Sequence, residues 1–257
     1  MPVERGQVWQ LGRHRLMCGD ATSRGDVETL LDGNMVDLLL TDPPYGISVL
    51  TDKKDYLGSG HKDDLSKSKW AEFFREGRPG SYEPYGKSYE AVIGDNDTKA
   101  ARQNYELLRD KSSDQIIFGG NFFSTFLPPS RCWLIWDKCR RGLDFADGEM
   151  CWTSFDMNMR IYQWKWSGMI RQGKRALELK SRIHPTQKPV GLLQQILEDY
   201  SNEGATVVDC FAGSGSTLIA CEVSNRTCYA MELSSGYCEK IIERWETLTG
   251  EKAVLVS

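Results

Sequence analysis

The sequence predicts an α/β fold in which a mostly parallel twisted sheet carries helices on both faces. Three observations lead there. Short apolar runs alternate with helix-length segments along most of the chain. One strand, glycine turn and helix start follow each other directly, over residues 206–217. And 257 residues with 40% hydrophobic content, 26% charged content and 24 glycines suit a single domain, 1–257, large enough for a buried core.

The elements follow in chain order. His14–Cys18 reads as a strand, Arg24–Leu31 as a helix, and Val36–Leu40 as a short buried strand that must end at Asp42, because Pro43 and Pro44 cannot donate to a ladder. Residues 48–90 break the pattern, with Gly58-Ser59-Gly60, Arg78-Pro79-Gly80 and eight basic against eight acidic residues. That stretch reads as a mobile insertion or substrate lid, or equally as a disordered loop. Thr98–Lys111 is the next helix, followed by strands at Gln115–Phe118 and Trp133–Trp136. Further on come a helix at Leu192–Tyr200, a strand at Thr206–Cys210, a helix at Ser216–Val223, a strand at Thr227–Met231 and a helix at Gly236–Leu248. No internal repeat interrupts this order.

Two segments carry chemistry. After the first buried strand, Asp42-Pro43-Pro44-Tyr45 forms an acceptor cluster: the two prolines lack N–H groups, so the Asp42 carboxylate and the Pro43 carbonyl stand without neighbouring donors, and Tyr45 adds a flat face. A planar ring bearing an amino group fits it; a plain strand-ending turn explains the same residues. The second segment, Asp209-Cys210-Phe211-Ala212-Gly213-Ser214-Gly215-Ser216-Thr217, is a nucleotide-type cofactor loop. Its glycines allow close backbone approach, and the helix starting near Ser216 offers unpaired N–H groups. No Gly-Lys-Ser/Thr follows, which excludes a P-loop, and Leu218 stands where a dinucleotide fingerprint has its third glycine. Glu232 ends the next strand about twenty residues on, where a Rossmann-like sheet meets ribose hydroxyls. An adenosine cofactor without pyrophosphate suits both, although a glycine turn in any α/β protein remains the alternative. Because too few strands follow this loop to complete a sheet, the rest must come from the first half of the chain, a circular permutation.

Charge and cysteine usage bound the partners. The net charge of −4 argues against a polyanion, but residues 160–188 hold Arg160, Lys165, Arg171, Lys174, Arg175, Lys180, Arg182 and Lys188 against Glu178 alone. From Glu198 onward four basic residues meet ten acidic ones, so a polyanion would be drawn to the middle of the chain. A solvated loop is the plainer reading of that basic run. Tyr162, Trp164 and Trp166 alternate as in a half-buried strand, with core packing expected for at least two. Eight cysteines without a Cys-x-x-Cys and three scattered histidines point to buried free thiols and no metal site. No run is long and apolar enough for a membrane helix or signal peptide, and a cytoplasmic protein is expected.

The permuted order resembles that of the S-adenosylmethionine-dependent DNA amino-methyltransferases of the circularly permuted, or β, group. Asp42-Pro43-Pro44-Tyr45 is similar to their catalytic motif. His184-Pro185-Thr186-Gln187-Lys188-Pro189 resembles the segment that contacts the cofactor's methionine carboxylate, and Cys18-Gly19-Asp20 the acidic position at its adenine. Phe118-Gly119-Gly120-Asn121 and Trp133-Leu134-Ile135-Trp136-Asp137-Lys138 resemble later strands. The resemblance implies a Rossmann-like methyltransferase fold, S-adenosylmethionine as cofactor, and methylation of adenine N6 in double-stranded DNA by base flipping, with Asp42, Pro43, Pro44 and Tyr45 catalytic. It implies cofactor contacts from Asp20, Thr186, Lys188, Asp209, Phe211, Gly213, Gly215, Ser216, Thr217 and Glu232. A small recognition region over 140–183 would contact DNA through Arg160, Lys165, Arg171, Lys174, Arg175 and Arg182. A homodimer, a bacterial or phage-type host and a role in restriction–modification are compatible with it. Each residue also has a plainer reading: Asp20 as a turn cap, Lys188 as a surface charge, Phe211 as core, Asp209 as a brace for the loop. Cytosine N4 is the nearest rival substrate, since that chemistry usually has Ser in place of Asp42; Asn-Pro-Pro-Tyr protein or RNA methyltransferases and a non-catalytic module stand further off.

Overall fold

The computed structural model describes residues 2–47, 95–139, 146–167, 170–172 and 187–257. The insertion expected at 48–90 lies outside them. Among the described residues ten strands form one sheet. They are β1 (Val8–Leu11), β2 (His14–Cys18), β3 (Val36–Thr41), β4 (Ser112–Phe118), β5 (Trp133–Asp137), β6 (Gly148–Thr153), β7 (Arg160–Gln163), β10 (Thr206–Asp209), β11 (Thr227–Glu232) and β12 (Val254–Leu255). Their order across the sheet is β12-β1-β2-β11-β10-β3-β4-β6-β5-β7. Trp166–Ser167 (β8) and Ile170–Arg171 (β9) pair separately as a short antiparallel ribbon. The middle of the sheet, β2-β11-β10-β3-β4, is parallel, and both ends are closed by antiparallel partners.

Strand alternation divides the core between the two faces. Leu38, Leu40 and Val207 point to the side covered by the helices Val190–Tyr200 (α3), Ser216–Val223 (α4) and Ser235–Thr249 (α5). Leu39 and Val208 point to the opposite side, under Arg24–Leu31 (α1) and Lys99–Leu108 (α2). An apolar β3 is thus required on both faces, and each of its three buried leucines contributes about 1.5–3 kcal/mol. Ser23 and Ser234 cap α1 and α5 by accepting from the backbone N–H groups of Asp26 and Tyr237. The expected three-layer α/β sheet is the fold found.

Three strands of the sheet have no counterpart in the sequence reading, β1, β6 and β12, while β7 carries Tyr162 of the run read as a half-buried strand. β1 and β12 close one edge, and their pairing depends on contacts across nearly the whole chain, such as the bond from Val8 N–H to the Ser257 carbonyl at 2.7 Å. β6 and β7 fall inside the 140–183 segment yet are integral to the other end of the sheet. Tyr162 and Trp166 are buried in the core, with Trp164 packed against it, as their alternation predicted. Of the eight cysteines, all free, seven are buried and Cys139 is exposed.

Candidate active site

β3 and β10 are parallel neighbours from which the chain leaves in opposite directions, β10 toward β11 and β3 toward β4. A crevice at the carboxyl ends of such a pair is where open α/β sheets bind ligands. Both sequence motifs end there. Thr41 Oγ1 donates to Asp209 Oδ1 at 2.8 Å, tying the end of β3 to the end of β10 across 168 residues of sequence.

Beyond Thr41 the chain turns through buried Pro43. The Tyr45 hydroxyl donates to Asp42 Oδ1 at 2.6 Å, and the Lys188 ammonium donates to Asp42 Oδ2. Gly119 lies against the Tyr45 ring: its φ is +70°, and a Cβ there would sit 2.2 Å from Tyr45 Cε1. Phe122 stacks on Tyr45 with ring centroids 5.1 Å apart and planes 15° from parallel. Tyr45 therefore shares its flat face with Phe122, which is 40% exposed, and the two form one aromatic surface.

Lys188 reaches Asp42 from just before α3, and it has a second carboxylate partner. Glu149 Oε2 lies 3.2 Å from Lys188 Nζ, and Glu149 Oε1 lies 2.6 Å from Lys138 Nζ. The result is an alternating row, Asp42, Lys188, Glu149, Lys138, in which no charge sits without an opposite neighbour. Burial pushes the Asp42 carboxyl above its ordinary value, opposed by Lys188. Burial also works against Glu149, but Lys188 and Lys138 outweigh it and hold that carboxyl at about 2. Lys188 is raised despite its burial, because Asp42 and Glu149 both favour its charged form. Sequence reading missed Glu149 and Lys138. The available signal was a lone acid heading the apolar run Met150-Cys151-Trp152.

The glycine loop lies beside this row. Gly213 and Gly215 have φ of +53° and +73°, and a Cβ at Gly215 would lie 2.9 Å from Ile241 side-chain atoms, so glycine is required at that position. Asp209 is buried, accepts from Phe211 N–H at 3.1 Å and from Thr41, and is raised to about 6 by its burial. That is the bracing role. Ser216 and Thr217 are buried in the first turn of α4, and Arg244 Nη1 donates to the Ser214 carbonyl at 2.8 Å. Phe211 is half-buried. At the end of β11, Glu232 accepts from Gly213 N–H at 2.8 Å and Ser234 N–H at 2.9 Å, and burial raises it to about 7. Gly19 N–H donates to the Glu232 carbonyl at 3.0 Å, which brings Asp20 to the same rim. Asp20 Oδ1 accepts from Thr22 N–H and Oγ1, as a turn cap does, while the side chain stays 39% exposed. Two carboxylates and a half-exposed ring around a glycine turn fit an adenosyl group, since each carboxylate oxygen keeps a lone pair for a hydroxyl or amino donor.

The basic residues are divided. Lys165 is exposed just past the carboxyl end of β7, at the same end of the sheet as Asp42. Arg160 is exposed too, but it opens β7, which runs parallel to β5, and so stands at the end of the sheet away from the site. The structure does not bring Arg160 to Asp42. The backbone of Arg171 lies in β9; Lys174, Arg175, Arg182 and Thr186 lie outside the described residues. No group of three or more His, Cys, Asp or Glu among the described residues is arranged to hold a metal. No described helix is long and apolar enough to cross a membrane.

Residues 140–244 match the family described as DNA methylase. The chain is 27% identical to the type II methyltransferase M.HpaI of Haemophilus parainfluenzae, over 91% of its own length and 74% of that protein's. Over 61 residues, 24% of this chain and 21% of the relative, it is 41% identical to the DNA adenine methyltransferase YhdJ of Escherichia coli (strain K12). Among solved structures, a Thermus thermophilus protein described as a candidate DNA modification methylase, in complex with S-adenosyl-L-methionine, aligns with a TM-score of 0.50 and 19% identity. That alignment covers 93% of this chain and 97% of the other, and speaks to the fold. The family match runs from the strand bearing Glu149 through Lys188, the glycine loop and Glu232, so that half of the site lies within the segment similar to DNA methylases.

Proposed function

We propose that the chain is a DNA methyltransferase that uses S-adenosylmethionine to methylate the exocyclic N6 of an adenine flipped out of double-stranded DNA. One observation carries the reading: the Asp42–Tyr45 acceptor cluster and the Gly213–Gly215 loop are joined at one switch point by the Thr41–Asp209 hydrogen bond. An amino-group site and an adenosyl site are then neighbours.

S-adenosylmethionine would be held by the glycine loop with Asp20, Phe211 and Glu232, and would supply the methyl group on its sulfonium. The chain's own task is to make a poor nucleophile ready. The lone pair of the adenine amino nitrogen is delocalised into the ring, and acceptance of its two hydrogens by the Asp42 carboxylate and the Pro43 carbonyl frees that pair toward the cofactor. Holding the amino group there is proximity catalysis, and the two acceptors offset the positive charge that grows on nitrogen. Asp42 is also the nearest acceptor for the proton that nitrogen must lose. The flipped base stacks on the Tyr45–Phe122 surface, worth on the order of 1–3 kcal/mol, comparable with the cost of unstacking it. Lys165, with the chain's Arg171, Lys174, Arg175 and Arg182, is assigned to the phosphates; Arg160 is withdrawn from that set. The whole chain is read as one domain working in the cytoplasm, and homodimers are compatible with it.

The test is a digest of duplex DNA after incubation with S-adenosylmethionine, with the modified nucleoside identified by mass spectrometry. N6-methyl-2′-deoxyadenosine is expected; N4-methyl-2′-deoxycytidine would overturn the adenine assignment, which rests on Asp42 and on the name of one relative matched over 61 residues. Asp42→Ala abolishes the product while leaving cofactor affinity nearly unchanged. Full turnover by that variant at saturating DNA would refute the site.

A further inference from the structure

Both oxygens of Asp42 already have donors from the chain itself, Tyr45 and Lys188. An amino group entering the site must displace or share one of them. The Lys188 ammonium is the harder neighbour: it sits on Asp42 Oδ2, and its charge would repel the positive charge that grows on the amino nitrogen. Its side chain is 9% exposed, so water cannot take up that charge as it would at a surface.

Glu149 supplies the alternative. It is the second carboxylate of Lys188, at 3.2 Å, and Lys138 holds it from the other side at 2.6 Å. Glu149 is placed by the sheet: it lies opposite Trp136 in the β5–β6 register, one residue from the site's end of that hairpin, and Lys138 follows β5 directly. Lys188 is itself confined between Phe118, 5.1 Å from its ammonium, and Tyr45, at 5.8 Å.

We propose that Glu149 is a positioning residue of this site: it draws the Lys188 ammonium off Asp42 when the target amino group arrives, leaving Asp42 free to accept from it. The proposal rests on the methyl-transfer reading. Glu149 does not touch substrate; it acts through Lys188, and Lys138 keeps it fixed and ionised. Without the Glu149 charge, Lys188 keeps Asp42 as its one carboxylate partner among the described residues, and the pair closes.

The experiment compares Glu149→Gln with the wild-type chain in the pH dependence of kcat for methyl transfer to duplex DNA. The groups facing Asp42 and Lys188 are Tyr45, Glu149, Lys138, Cys151 and Asp209. Of these, Glu149 pushes Asp42 up, so its neutralisation moves the acidic limb of kcat to lower pH. The plateau falls roughly 10- to 100-fold, the scale of a misplaced catalytic group. KM for S-adenosylmethionine, and its affinity in equilibrium binding, stay as in wild type. A lower plateau with an unmoved limb, or wild-type kcat throughout, overturns the proposal. Because Glu149→Gln also takes a carboxylate charge from Lys138, the double variant Glu149→Gln/Lys138→Met is measured beside it: the same shifted limb supports the proposal, recovery of the wild-type profile overturns it, and failure of both variants to fold assigns Glu149 to the fold and overturns it as well. Absence of methyl transfer by the wild-type chain would instead strike the underlying reading.

Discussion

Gly119→Ala adds one methyl group where the Tyr45 ring already is. The added Cβ would lie 2.2, 2.5 and 2.7 Å from Tyr45 Cε1, Cδ1 and Cζ, whereas carbon atoms pack at about 3.5–4.0 Å. The ring must retreat by roughly 1.3 Å, enough to carry its hydroxyl out of hydrogen-bond range of Asp42 Oδ1, now 2.6 Å away. Two costs follow. A non-glycine residue in the left-handed region costs about 1–2 kcal/mol, and overpacking costs about 1–3 kcal/mol more. Gly204→Ala separates them: Gly204 has φ of +81° and nothing within 4 Å of its would-be Cβ, so it incurs the backbone cost alone. Each kcal/mol lowers the melting temperature by about 2–4 °C at this chain length, so Gly119→Ala is expected to melt roughly 5–15 °C below wild type and clearly below Gly204→Ala. Turnover separates the variants further. A displacement of this size at the amino-group site costs roughly 10²-fold in kcat, while Gly204→Ala keeps wild-type activity. Equal melting temperatures for the two variants, together with full turnover by Gly119→Ala, would refute the packing of Tyr45 on Gly119.

Two further predictions concern buried groups. His14 Nδ1 accepts from Cys228 N–H at 2.9 Å, so its Nε2–H donates to Glu222 at 2.9 Å, and the Trp245 indole N–H donates to the same Glu222 oxygen at 2.7 Å. Glu222→Ala leaves two inner donors without an acceptor and should cost about 2–5 kcal/mol; denaturant unfolding that shows less than about 1 kcal/mol would exclude this network as a support. Glu232, raised to about 7 by burial, keeps a proton in the native chain that the unfolded chain releases near its ordinary value, so native stability falls as pH rises between those two values and is flat above. Glu232→Gln lacks this dependence. From pH 5 to pH 8 wild type should therefore lose stability relative to the variant, and a constant difference in melting temperature over that range would contradict the assignment.

What was legible in the sequence was whatever local chemistry dictates. Two prolines end β3 whatever lies around them, and a glycine turn that must bend through positive φ announces itself, so Asp42 to Tyr45 and Gly213 to Gly215 could be placed before any contact was known. Asp209 was readable as a brace because an acid at a strand end beside free N–H groups has few other uses. Glu149 and Lys138 were not readable, because they meet through the register of an antiparallel pair, and that register depends on which strands become neighbours. For the same reason Arg160 looked like its basic neighbours, although the direction of β7 puts it at the far end of the sheet. Lys188 was placed with the cofactor on the strength of resemblance; its partners here are Asp42 and Glu149.

The permuted sheet also governs how this site can come into being. β10 and β11 follow β2 and β3 by more than 150 residues in chain order, yet they occupy the centre of the sheet, between β2 and β3. Until they arrive, β2 and β3 present open edges to a gap one strand pair wide, and such edges invite wrong partners. Contacts like Thr41 to Asp209, 168 residues apart, raise the contact order and slow folding. Neither half of the site has a supporting wall before that insertion, so the two halves are completed in one step, when the sheet closes around its latest members.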